Sequence, residues 1–263
     1  MDNVCYESKT PFWAKDEKLK PYKVDNNDFE TIKKTWDIPF KNAKEMNESA
    51  IGGFNILRFE NVIDSALDYL QQKGLEILRD TKIVKKIASH SDGSIHFVYD
   101  ANGIKMYRVF KQNKVVNHTF FKCLYRNNGF GSVIMSECLK QYIAMEISKI
   151  TLIASSNNGG YTWARMCFWA NDRKEILRQI NDKRLCPNKT IRDKMRRIIS
   201  DYYKKNGNDY GQPFPMSLLA SKDMKETLTH IKWSGFLDLT NNRHLHDINQ
   251  YIKCRLEKMF NSY

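Results

Sequence analysis

Long apolar runs are missing from this chain. No stretch approaches the roughly 18 consecutive apolar residues of a membrane span, so no membrane partner is expected. The opening Met1-Asp2-Asn3-Val4 lacks the charged-then-apolar layout of a secretory signal. Cysteine is sparse and dispersed. Cys5, Cys123, Cys138, Cys167, Cys186 and Cys254 stand singly, with no Cys-x-x-Cys pair. That argues against a zinc module or a secreted disulfide scaffold and for a reducing, cytoplasmic setting. No internal repeat or low-complexity tract is visible. Acidic residues are in deficit, 30 Asp+Glu against 43 Lys+Arg, and the formal charge of +13 implies an anionic partner without naming it.

What is present is globular. The 263 residues set a prior of one to two domains and can bury a core. Apolar residues at 41% and charged residues at 28% exclude wholesale disorder. Residues 1–52 are polar, carry Pro11, Pro21 and Pro39, and read as an N-terminal extension. A short helix over 29–36 is opened there by Asn26-Asn27-Asp28. After Gly52-Gly53, the positions Val62, Ile63, Ala66, Leu67, Leu70, Leu75 and Leu78 recur every three to four residues. This predicts an amphipathic helical region over 59–85, interrupted at Gly74.

From Ser94 the period changes. Two β-rich runs, 94–99 and 104–110, flank Asp100-Ala101-Asn102-Gly103, whose Asn-Gly signals a hairpin. A third run covers 114–124, and three meander strands predict an antiparallel sheet. A helix over 131–147 follows, then a buried strand at 150–154. Asn157-Asn158-Gly159-Gly160 precedes an aromatic-rich helix over 161–169. Residues 171–206 form a basic helical block with twelve Lys+Arg against five Asp+Glu, more than half of the charge excess. The remainder holds a helical 222–231, a strand-like 235–239 and an amphipathic helix over 245–260.

The informative stretch is Arg126-Asn127-Asn128-Gly129-Phe130-Gly131, between a predicted strand and a predicted helix. Glycines there let the backbone approach a ligand closely. The following helix offers unpaired N–H groups and the positive end of its dipole, a seat for a pyrophosphate, and Arg126 adds a fixed charge. The spacing is neither a Walker A loop nor the Rossmann Gly-x-Gly-x-x-Gly.

Arg-x-x-Gly-x-Gly at 126–131, after three antiparallel strands and before helix, strand and helix, resembles the acyl-CoA signature of the GNAT (Gcn5-related N-acetyltransferase) superfamily. Residues 157–168 resemble the element that closes this core in bacterial and phage GNAT-like proteins. The resemblance covers 55–170 well, 216–245 loosely and the first 50 residues not at all. It implies an α/β (α+β) fold, a mixed, mostly antiparallel sheet flanked by helices. The chain then divides into the extension at 1–52, an acyl-CoA-binding core at 53–170, a basic insertion at 171–215 and a completing segment at 216–263.

The resemblance further implies that the third strand splays from the 150–154 strand, leaving a wedge for pantetheine against the backbone of Cys123 and Leu124. Amides from Asn127 through Asn128, Gly129, Phe130, Gly131 and Ser132 would hold the pyrophosphate. The reaction would be attack of an acceptor amine on the thioester of acetyl-CoA or another acyl-CoA, with no metal. Trp163 stands where the family carries its acid Tyr, and Cys167 where it carries a Gly. Trp163 cannot give up a useful proton, and Tyr161 is the nearest substitute acid.

His118 is the candidate base on pKa and position, against the reading of a buried structural histidine. Alternation places Val116, His118 and Phe120 on one face of its strand. His96 is a weaker candidate, and His244 with His246, two apart, favours no metal pair. Glu137 and Glu146 read as solvated residues of the signature helix. Arg192, Lys194, Arg196 and Arg197 are either a solvated helical face or a patch for nucleic acid or an acidic protein. The rival to acyl transfer is a catalytically inactive scaffold of the same shape that binds a partner through this block.

Overall fold

The computed structural model describes residues 18–78, 83–125, 128–155, 159–207 and 212–261. The chain begins with helices α1 (Asn26–Thr35), α2 (Ala43–Glu48) and α3 (Ile56–Gln72). Asp25, Asn42 and Asn55 each accept a first-turn amide, the usual repair for orphan N–H groups. A meander follows: β1 (Val84–Ser89), β2 (Ile95–Ala101), β3 (Ile104–Lys111) and β4 (Val115–Cys123). Helix α4 (Phe130–Ala144) crosses to β5 (Lys149–Ala154), and α5 (Gly159–Arg165) leads to the two-residue strand β6 (Trp169–Ala170). Two basic helices, α6 (Arg173–Asn181) and α7 (Lys189–Asn206), precede β7 (Phe214–Pro215). Helix α8 (Lys225–His230), β8 (Trp233–Asp238) and α9 (Asn242–Asn261) complete the chain.

All eight strands form one sheet in the order β1-β2-β3-β4-β5-β8-β6-β7. Every pairing is antiparallel except β4 with β5, which is parallel and uses α4 as its crossover. The fold is thus a mixed α/β fold with a mostly antiparallel sheet flanked by helices. Helix α4 is buried on nearly all sides and packs against α3 and α9.

Residues 18–52 join this body. Phe29, Ile32, Trp36, Met46 and Ile51 lie in the same apolar cluster as the sheet, with the Trp36 ring 4.8 Å from Phe97. Asp37 bonds backbone to Lys85 and Ile87, covering part of the β1 edge. The helical region expected over 59–85 ends at Gln72, and its last two residues already belong to β1.

Candidate functional site

Parallel β4 and β5 pair from Val115–Lys149 to His118–Leu152 and no further, although β4 continues to Cys123 and β5 to Ala154. The two strands therefore part at His118. A β-bulge sits at the same place: Arg108 pairs with His118 and Tyr107 with Phe120, so Thr119 has no partner across β3. The extra residue shifts the alternation by one. Phe120 turns to solvent at 44% exposure while Phe121 turns inward, which corrects the expectation that Phe120 shares the His118 face.

Leu124 donates its amide to the Gly103 carbonyl, so its backbone looks toward β3 rather than the gap. This corrects the placement of Leu124 as a wedge donor. By the alternation of antiparallel ladders, Phe121 and Cys123 turn their backbone groups toward the gap.

Gly129 caps α4 from the left-handed region, at φ 77°, and as a glycine brings no side-chain oxygen to the first-turn amides. Gly131 stands in that turn, with Phe130 and Ser132 buried on either side. Arg126 and Asn127 lie outside the described residues, as do Asn157 and Asn158.

Below the point of parting is a narrow recess with room for about one water molecule, bounded by Arg108, Phe121, Gly131, Cys138, Trp163 and Met166 among others. His118 is 2% exposed. Its Nε2 lies 3.2 Å from the Tyr142 hydroxyl, and its Nδ1 is buried without a partner among the described residues. Burial, and then the charge of Arg108, hold its pKa well below the usual histidine range, so the ring is neutral. Trp163 packs 5.9 Å from His118 and edge-on against Phe168. Tyr161 is not among the lining residues: the cations of Arg165 and Lys225 lie over its ring at 5.6 and 5.8 Å. His118 and Tyr161 are thus not brought to one recess.

Arg108 is the residue that the sequence reading passed over. It is 2% exposed, in phase with buried Ile104, Met106 and Phe110 on β3, and a charge inside an apolar row is the signal that marks it. One guanidinium nitrogen donates to the carbonyls of Tyr107 and Phe120, at 3.0 and 2.7 Å, beside the bulge.

The remaining candidates are structural or superficial. His96 bonds to the Tyr107 hydroxyl and stacks on His90, and His244 accepts from the Asp238 amide and stacks on Trp169. Glu137, read from sequence as a solvated residue, is 1% exposed and ion-pairs with Arg58 at 3.0 Å. In the basic block, Arg192 is buried and donates to the carbonyls of Cys186 and Pro187, so it belongs to no exposed patch. Lys194 pairs with Asp223, and Arg196 with Asp193 and Asn181. Arg197 is exposed. Among the described residues no cluster of three potential metal ligands occurs, and no helix is long and apolar enough to cross a membrane. Comparison with family models, curated proteins and solved structures returned no match.

Proposed function

We propose that the chain is an acyl-CoA-dependent N-acyltransferase of the GNAT type. One observation carries the reading: parallel β4 and β5 part at His118 beneath a helix whose cap residue, Gly129, carries no side chain. The opened strands give an extended thioester arm a place to lie along backbone polar groups, and the helix start suits a pyrophosphate. A further support is Cys167, at φ 62°. The position where the family carries glycine is in the left-handed backbone region that favours glycine.

In this reading the amine nitrogen attacks the thioester carbonyl, the C–N bond forms, and the C–S bond breaks with its electron pair leaving on sulfur. His118 is buried and held neutral and does not line the recess, so the ammonium proton is assigned to solvent water rather than to this ring. Trp163 gives none to the thiolate, so the proton returning to sulfur comes from the amine or water, and turnover is expected to be slow.

Calorimetry with acetyl-CoA and with CoA tests the site without a known acceptor. Gly131→Glu is the informative variant, because a Cβ there meets only the Phe121 ring, at 3.5 Å. The new carboxylate would oppose the pyrophosphate, and affinity should fall by at least about tenfold with the melting temperature kept. No CoA binding by the wild type, or unchanged affinity in the variant, sinks the reading. A second reading, a silent form of the fold that binds through its basic block, draws on Trp163 in the acid's place. Acyl-CoA bound but never transferred to any of a panel of amines would favour it.

A further inference from the structure

The sheet has two unlike faces. On one, Phe97, Phe110, Val116 and Ile150 are buried, with Phe110 packed 5.9 Å from Tyr142 of α4. On the other, no outward position of β1–β5 is buried. The bulge at Thr119 turns Phe120 onto this open face at 44% exposure, and Ile153, beside the parting of the strands, is 57% exposed. Phe120 stands directly across from Tyr107 in the register of β3 and β4. The Tyr107 hydroxyl bonds to His96 on β2, and the His90 ring stacks on His96 at 3.6 Å. Rings therefore cross three neighbouring strands at one level, on a side where packing does not need them.

The same face is basic. Its outward charges are Lys86, Lys105, Lys111, Lys122 and Lys149 against Asp100 alone. Lys86 pairs with Asp37 and Lys105 with Asp100, while Lys111 and Lys122 pair with no acid among the described residues. Lys105 and Lys122 face each other across β3 and β4, a like-charge pairing that costs stability unless an anion relieves it. They lie one alternation beyond the Tyr107–Phe120 pair. At the other end of the strands Lys111 and Lys149 flank Val115. Cationic ends about 20 Å apart thus bracket an aromatic centre. Between them Asn117 and Thr151, paired in register, offer an amide and a hydroxyl.

We infer that the open face of β1–β5 binds single-stranded nucleic acid, with bases stacked on Phe120 and Tyr107 and phosphates held at the two lysine ends. Stacking on exposed rings of a sheet needs bases that are already unpaired, and a flat sheet brings no helix to a duplex groove. The span suits about four nucleotides, the lower end for sheet-based binders of single strands. An acidic peptide would satisfy the lysines and leave the rings unused. The inference does not draw on acyl transfer. It also places the partner away from the basic helices, where Lys194 and Arg196 already have acid partners.

Fluorescence anisotropy on the full chain tests it, with labelled single-stranded RNA and DNA of about 12 nucleotides, the matching duplex and a polyglutamate peptide. Either single strand should bind at least about tenfold tighter than the duplex or the peptide, and affinity should fall as salt rises. Phe120→Leu keeps an apolar side chain, removes the ring at an exposed position, and should weaken single-strand binding about fivefold or more. Lys111→Glu with Lys122→Glu should weaken it further and flatten its salt dependence. Arg197→Glu with Lys205→Glu, on α7, should change it by less than about twofold. Melting temperatures of the variants, all at exposed positions, check that each is folded. No binding of either single strand at low salt overturns the inference. So does equal affinity for the duplex or for polyglutamate, or loss on reversal of the α7 charges with Phe120→Leu unchanged.

Discussion

The two glycines at the head of α4 look equivalent in the sequence and are not. Gly129 occupies the left-handed region, and a Cβ added there would stand 2.9 Å from the Met259 Cβ of α9. Gly131 has ordinary helical backbone, and its added Cβ would make a van der Waals contact with Phe121. Gly129→Ala is therefore expected to cost about 1–3 kcal/mol, from left-handed strain plus displacement of Met259. Gly131→Ala should be neutral or stabilising by up to about 1 kcal/mol. Urea unfolding of both variants measures the difference, and equal losses would contradict the assignment of strain to position 129. The glycine spacing was legible in the sequence. The asymmetry was not, because it comes from α9, which is more than a hundred residues away. Arg108 teaches the converse lesson: its phase with Ile104, Met106 and Phe110 was readable, and only the structure shows that no carboxylate among the described residues pairs with it.

At the level of elements, the joint between α3 and α4 is polar at its centre. Glu137 accepts from Arg58 Nε at 3.0 Å and from Gln141 Nε2 at 2.7 Å. Gln141 in turn accepts the Asn55 amide at 2.6 Å, and Asn55 caps α3 by accepting from Arg58 N. One carboxylate thus ties the cap of one helix to the middle of another. Glu137→Ala would remove the partner of Arg58 and of Gln141 together in a buried place. The expected loss is about 2–4 kcal/mol in urea unfolding, larger than in Glu137→Gln, which keeps an acceptor oxygen; equal small losses would show the network to be idle. The sequence pattern alone placed Glu137 on a solvated face, since nothing in α4 itself reveals that α3 packs across that side.

The strands show which patterns carry through. β2 and β3 alternate cleanly, so they and the Asn-Gly turn between them were readable. β1 was not, because Val-Lys-Lys-Ile-Ala-Ser is an edge strand whose Lys85 is mostly buried against Glu60 while Lys86 pairs with Asp37 in solvent. β6 and β7, at two residues each, are made by neighbours rather than by local preference. The bulge at Thr119 belongs to the same group: a single extra residue moved Phe121 inward, and no pattern rule locates it.

Across the whole molecule the +13 excess and the buried site separate. The exposed cations cluster on α6 and α7, while the one cation at the parting of the strands is Arg108, enclosed and unpaired among the described residues. Its nearness, with burial, also sets a pH response for the entire fold. His118 faces Arg108, Tyr142 and Trp163 and stays neutral, its pKa held well below the usual value; His96 and His244 are lowered as well, in each case chiefly by burial. A folded pKa below the unfolded value of about 6.5 means that the unfolded chain takes up the proton first as pH falls. Stability is therefore complete above about pH 6.5 and is lost below it, by up to about 1.4 kcal/mol per pH unit from His118 alone. Asp182 and Asp223, with pKa values lowered to about 2, add losses only below about pH 4, so the window from 6.5 to 5 reports histidines. Urea unfolding at pH 7.5, 6.5 and 5.5 should show this slope. In His118→Gln, which cannot charge yet can still bond the Tyr142 hydroxyl, the slope should flatten by about 1.4 kcal/mol per unit; an unchanged slope would mean that His118 is protonated in the fold.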